Sequence, residues 1–163
     1  MDEEQAWVQR ALAGDQAAFT HLVEAYQVPI YNLAYRMLGD PIEAEDAAQE
    51  TFVRAYTRLH TYQPGRKFSS WILSIASHHC IDLLRRRRTG NTKIEDLLAQ
   101  RAFSDPHDGP ERAALRAEAQ DVVRDLLQEL PSQYRLVLVL RYWQELSYQE
   151  MSEVLNTTPS AIK

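Results

Sequence analysis

The residues of this chain that could do chemistry form two surfaces rather than one catalytic cluster. Asp46, Gln49, Glu50, Val53 and Thr57 recur at i, i+3, i+4, i+7 and i+11, which puts them on one face of a helix. Such a stripe can accept hydrogen bonds from a basic partner helix, although a solvated helix face carries the same pattern. The second set is basic, polar and aromatic. Ser74, Ser77, His78, Asp82 and Arg85 make a polar stripe, flanked by Arg66 and Lys67 on one side and Arg86 to Arg88 on the other. Tyr56, Tyr62, Phe68 and Trp71 are close by in sequence. Cations that follow a phosphate backbone, beside rings that stack on unpaired bases, suit a single nucleic-acid strand better than a duplex. A plainer account stays open: four arginines at a helix C-terminus complement its dipole, and Phe68 and Trp71 also fit a core.

Other chemistries find little support. His78-His79-Cys80 invites a metal, but neighbours on a helix point about 100° apart and do not converge on one ion. There is no second cysteine, so no metal, cofactor or internal disulfide is expected, and Cys80 reads as a small buried hydrophobe. No Ser/His/Asp elbow, glycine-rich phosphate loop or HExxH motif occurs, so no catalytic residue is assigned. No apolar run approaches about 18 residues, and the acidic start Met1-Asp2-Glu3-Glu4 lacks the core of a secretory signal. A cytoplasmic protein without membrane insertion is the expectation. The net charge is −5, with 10 Lys/Arg against 11 Asp/Glu in residues 1–90 and 8 against 12 in residues 91–163. Phosphate neutralisation drives DNA affinity, so a chain this acidic binds duplex DNA poorly unless a partner contributes.

The elements that must position these residues are helical. Only five glycines occur among 163 residues, and apolar residues recur with helical period. Ala11, Ala18, Leu22 and Tyr26 predict an early helix, continued past Pro29 by Ile30, Leu33, Ala34, Met37 and Leu38, with Gly39 as its stop. Asp40-Pro41-Ile42-Glu43 reads as N-cap, first-turn proline and acidic N3 residue of a helix from about Pro41 to Leu59. Its core face is Ala44, Ala47, Ala48, Thr51, Phe52, Ala55 and Leu59. After the turn Tyr62 to Gly65, a helix from about Ser69 to Arg87 turns Ile72, Ile75, Ala76, His79 and Leu83 inward. Residues 89–112 are polar and rich in breakers, a flexible linker with a short helix around Ile94 to Leu98.

A second group of helices follows. Val122, Val123, Leu126, Leu127 and Leu130 predict one amphipathic helix, ended by Pro131. Leu136 to Leu140 could be a buried strand, but helix formers extend the pattern to Tyr142 and Trp143. Ser147 to Glu150 is a capping box, Asn156 can turn left-handed, and Thr158-Pro159 opens another helix. Leu146, Met151, Leu155 and Ile162 fall at the buried positions of a helix-turn-helix, whose second helix would enter a major groove. That last helix has only five residues, Pro159 to Lys163, too few to be stable alone, so the expectation is a sequence cut within its final element.

Three blocks in this order resemble the extracytoplasmic function (ECF) branch of the sigma-70 family. They are Glu45-Asp46-Ala47-Ala48-Gln49-Glu50-Thr51-Phe52; Phe68-Ser69-Ser70-Trp71-Ile72-Leu73-Ser74-Ile75-Ala76 with Asp82 to Arg86; and Leu130-Pro131, Arg141-Tyr142 and Leu146 to Glu150. The resemblance implies an all-α protein of two small helical domains joined by a flexible linker. Residues 1–88 would be a region 2-like bundle, 89–112 the linker, and 113–163 a region 4-like helix-turn-helix truncated in its recognition helix. It implies that Asp46, Gln49 and Glu50, with Arg54 nearby, dock on the clamp coiled coil of the polymerase β′ subunit. Arg66, Lys67, Phe68, Trp71, Ser74, Ser77, His78 and Arg85 would hold the melted −10 strand. Thr158, Pro159, Ser160 and Lys163 would meet the −35 duplex, and the linker would run through the polymerase, with the β subunit a further contact. An anti-sigma factor is a further implied partner class. Three departures stand out: His78 occupies a frequent Asn position, Glu145 a frequent Gly, and Asn156 a common turn Gly. The rival functions are a helix-turn-helix regulator that binds duplex DNA without polymerase, and a helical adaptor or enzyme.

Overall fold

The computed structural model describes residues 2–89, 110–157 and 159–162. All regular elements among them are helical. Caps decide where the helices begin. Asp2 opens α1 (Glu3–Leu12) by accepting a hydrogen bond from the Glu4 N–H at 2.8 Å. The single early helix expected from spacing is two helices. Gly14 turns the chain at φ +100, which costs glycine no Cβ clash. Asp15 then accepts from the Ala17 and Ala18 N–H groups and opens α2 (Gln16–Leu38). Ala11 and Ala18 are both buried, so apolar spacing alone merges the two helices.

Pro29 stands inside α2, which nevertheless runs on to a left-handed stop at Gly39, φ +79. Asp40 accepts from the Glu43 N–H at 3.1 Å and opens α3 (Pro41–Thr57) with Pro41 in its first turn. A tight turn, Leu59–Thr61, carries Leu59 into the core, and α4 follows (Phe68–Thr89). Helices α1, α3 and α4 each pack on α2. Ala44, Ala47 and Ala55 are buried where α3 faces the core, and such small side chains let backbones approach closely.

The linker expected at 89–112 gives way to helix earlier at its far end, because α5 spans Pro110–Glu129 and takes Pro110 as its opening residue. The short helix expected around Ile94 to Leu98 lies outside the described residues. Only part of the predicted apolar face of α5 is covered: Leu127 is buried, but Val122 and Leu126 are 58% and 57% exposed. Helix α6 (Ser132–Leu138) continues into a wide turn, Val139–Trp143, where the Gln144 N–H reaches the Val139 carbonyl five residues back at 3.1 Å. The run from Leu136 to Leu140 is therefore helical, not a strand. The Ser147–Glu150 capping box opens α7 (Tyr148–Leu155), Asn156 is left-handed at φ 54, and α8 (Pro159–Ile162) follows.

The two groups of helices share one core. Leu136, Val139, Leu140, Leu146, Met151 and Val154 belong to the same buried cluster as Ile30, Leu33 and Met37 of α2. Buried Arg135 fastens the seam. Its guanidinium donates to the carbonyls of Leu127, Gln128 and Leu130 at the end of α5, and to that of Met37 near the end of α2. Gln144 donates to the Pro29 carbonyl at 3.0 Å, and Arg36 lies 5.0 Å from the Trp143 ring centre.

Candidate functional site

The alanine face of α3 turns inward, so the opposite face is presented to solvent. Asp46 and Gln49 are exposed, Glu50 is half-buried, and the Arg54 guanidinium donates to Glu50 Oε1 at 3.1 Å. Sequence reasoning missed two members of this face. Ile42 and Tyr56 are also exposed, and with Asp46, Gln49 and Val53 they repeat at alternating steps of four and three. That is the seam spacing of a helix meeting another helix, with apolar groups at the ends and polar groups in the centre. The signal was in the sequence, as a heptad continuing beyond the charges.

The segment between the Leu59 turn and α4 is built on an aromatic cluster. Tyr26, Tyr62, Phe68 and Trp71 pack with ring centres 5.3 to 5.6 Å apart. The Tyr62 hydroxyl donates to the Arg66 carbonyl, and the Arg66 N–H donates to the Gln63 carbonyl at 3.0 Å. The Tyr26 hydroxyl, which donates to Glu4, is held above its ordinary pKa chiefly by burial. Phe68 and Trp71 are 4% and 7% exposed, so neither offers a ring face for stacking in this conformation. Their part is to fix the loop that projects Arg66 and Lys67. Ser77 is fully buried in this conformation as well. The polar stripe read along α4 is thus narrower: Ser74 is half-buried, and His78 and Arg85 are exposed.

Ser74 and His78 line an open cavity of about 670 Å³ with Gln63, Arg66, Glu153 and Asn156. The cavity therefore lies between the first group of helices and α7. The Arg66 guanidinium donates to the Glu153 carbonyl at 2.7 Å, and Lys67 Nζ is 3.4 Å from Glu150 Oε2. The Ser147 N–H, with smaller help from Lys67, holds the Glu150 carboxyl below its ordinary pKa. Behind this surface, burial pushes the Cys80 thiol up to about 12, so it is no thiolate at neutral pH. Burial, then the Arg54 charge, lowers the His79 pKa and favours the neutral ring.

Among the −35 candidates, Pro159 opens α8 and Ser160 is exposed, while Thr158 and Lys163 lie outside the described residues. Among the described residues no trio of His, Cys, Asp or Glu gathers around a metal position, and no helix is long and apolar enough to cross a membrane. The arrangement offers instead a helix face for a helical partner and a cation-tipped loop on a rigid aromatic base.

Comparison with known proteins matches both groups of helices. Residues 22–89 match the family description Sigma-70 region 2, and residues 120–163 match Sigma-70, region 4. The ECF RNA polymerase sigma factor SigW of Bacillus subtilis is 35% identical, covering 96% of this chain and 87% of its own length. The RNA polymerase sigma-H factor of Pseudomonas aeruginosa is 32% identical, covering 99% of this chain and 87% of its own. The solved structure of CnrH in complex with the cytosolic domain of CnrY superimposes with a TM-score of 0.73 at 28% identity, over 99% of this chain and 88% of that one.

Proposed function

Because this chain belongs to the ECF sigma factors of the sigma-70 family, we propose that its sigma function is divided between three of its own surfaces. The exposed face of α3, with Asp46, Gln49, Glu50 and Arg54, docks on the β′ clamp coiled coil of core RNA polymerase. The loop at Arg66 and Lys67, with Ser74, His78 and Arg85 along α4, receives the separated −10 strand. Ser160 and the start of α8 face the −35 duplex, with Thr158 and Lys163 beside them in sequence. Residues 1–89 form the docking and strand-opening domain, and 110–163 form the helix-turn-helix domain.

The observation that carries this reading is the α3 face: a heptad-spaced, polar-centred seam is exposed on a helix whose other side is packed against α2. Such a face fits a basic partner helix. Chemistry belongs to polymerase, and the sigma chain contributes binding energy that offsets the cost of unstacking bases, a few kcal/mol per step. The protein acts in the cytoplasm, where polymerase is found. A protein that shuts it off would compete for these same surfaces; CnrH, similar over nearly the whole chain, is itself solved with the cytosolic domain of CnrY.

The test is a titration against core polymerase, read with a fluorescent base in a −10 promoter strand. Binding to polymerase, with a probe change only in its presence, is the expected result. Tight binding to duplex DNA without polymerase would instead make the chain a stand-alone helix-turn-helix regulator.

A further inference from the structure

We propose that Glu4 of α1 is a positioning residue for strand capture, acting through the Tyr26 hydroxyl on the loop that carries Arg66 and Lys67. The proposal rests on the reading of those two cations as strand-binding residues. The match to Sigma-70 region 2 begins at residue 22, so α1 lies ahead of it. Yet α1 is firmly seated: Val8 and Ala11 are buried, and Trp7 stacks on His21 of α2 with ring centres 5.0 Å apart. From that seat a chain of contacts runs to the loop. The Tyr26 hydroxyl donates to the Glu4 carboxylate, with Ser69 beside it at the start of α4. The Tyr26 ring packs on Phe68 at 5.5 Å, and Phe68 on Tyr62 at 5.6 Å. The Tyr62 hydroxyl donates to the Arg66 carbonyl, while the Lys67 carbonyl accepts from the Trp71 N–H at 3.1 Å.

Apolar packing has no direction, so rings alone let the loop slide. A hydrogen bond to a half-buried hydroxyl fixes one ring, and the cluster passes that register to the loop backbone. Glu4 is a costly choice for a contact that merely holds a helix in place. With Asp2 it lines a cavity of about 470 Å³, together with Arg66, Lys67, Phe68 and Ser69. An anionic group there repels the phosphates that the two cations must meet. Charge and position therefore act on strand affinity with opposite signs. If charge were the whole effect of Glu4, removing it would strengthen strand binding. If Glu4 positions the loop, removing it weakens strand binding, and a neutral side chain that still accepts the hydroxyl restores it.

The experiment uses the full chain bound to core polymerase and a fluorescent −10 single-stranded oligonucleotide. Glu4→Ala and Tyr26→Phe, which keeps the ring, should each weaken strand binding about three- to tenfold. The double variant should be no weaker than either single one, because both break the same bond. Glu4→Gln should bind the strand at least as well as the parent chain. Polymerase affinity should be unchanged in all four, since the α3 face is untouched. Trp7→Ala controls for simple loosening of α1: it should lower the urea midpoint and leave strand affinity as it was. Strand binding that rises or stays level in Glu4→Ala, additive losses in the double variant, no recovery in Glu4→Gln, or an equal loss in Trp7→Ala would each overturn the positioning role. The strand reading fails separately. Arg66→Ala with Lys67→Ala should abolish strand binding on polymerase, and normal binding by that variant would refute the role of the two cations and the proposal with it. Loss there, with Glu4→Ala at the parent affinity, would leave the cations in place and overturn Glu4 alone.

Discussion

Replacing Arg135 with methionine removes the fastening between the two groups of helices while roughly keeping side-chain length and apolar packing. The guanidinium makes five hydrogen bonds of 2.5 to 3.2 Å, to four carbonyls and the Gln128 side chain. The bonds to Leu127 and Met37 are fully buried, whereas those to Gln128 and Leu130 are part-buried, and water can replace them. Both carbonyls keep a second donor, Leu127 the Leu130 N–H at 3.2 Å and Met37 the Gln128 amide at 3.3 Å, so what is lost is two charge-assisted bonds at about 1.5 kcal/mol each, about 3 kcal/mol together. At about 2–4 °C per kcal/mol for a chain of this size, Tm should fall by about 6–12 °C. Urea unfolding followed by circular dichroism measures the loss directly. Arg135→Lys keeps a charge near the ends of α5 and α2 but cannot fork to all these acceptors, so it should recover about half. A loss under about 1 kcal/mol in the methionine variant would refute the fastening. It would mean that the apolar seam alone holds α5 and α6 to α2.

The other predictions concern single positions. Asp46→Lys should weaken polymerase binding about tenfold or more with an unchanged circular dichroism spectrum; undiminished affinity would rule out the docking face. Glu145→Gly should raise stability by about 0.5–1 kcal/mol in urea, because Glu145 sits at φ 56, where a Cβ costs about 1–2 kcal/mol. Asn156→Gly should change stability by less than about 0.5 kcal/mol despite a similar φ, because Asn tolerates that region. His79 has its pKa lowered by burial, so below the unfolded value of 6.5 the unfolded chain binds the extra proton first. Its contribution is present above pH 6.5 and declines as pH falls toward the folded pKa. His79→Leu should remove that part of the acid-side slope in a series of urea midpoints; an identical slope would place its origin elsewhere.

Local chemistry made much of this fold legible. Asp40-Pro41, Ser147-Glu150, Gly39 and Asn156 act within a few residues of themselves, and the structure uses each as the sequence implies. The failures have physical causes. Gly14 breaks what apolar spacing reads as one helix, since Ala11 and Ala18 stay in phase across the break. Phe68 and Trp71 read equally well as stacking platforms and as core, because an aromatic ring serves both and only packing decides. Val122 and Leu126 have the right period for a buried face but stay exposed, with none of the described residues covering them. Arg135 carries no sequence signal at all, since a buried arginine is defined by the carbonyls that distant helix ends bring to it.

The same distinction separates docking from strand capture. The α3 face was readable because its residues lie on one helix, and it is open in the folded chain. The state of the loop was not readable, because it depends on Glu150 and Glu153, more than eighty residues away. Net charge and local contacts act in one direction here. A chain of net charge −5 gains little from duplex DNA on its own, and its two loop cations already have oxygen partners. The first cost should fall when a polymerase contributes its own DNA contacts. Raising salt weakens the exposed Lys67–Glu150 pair more than the Arg66 bond to a backbone carbonyl. The contact between α7 and the loop should therefore loosen only partly with ionic strength. A separation between dyes placed at exposed His60 and Gln149 that is insensitive to salt would assign the contact to Arg66 and the apolar seam rather than to the ion pair.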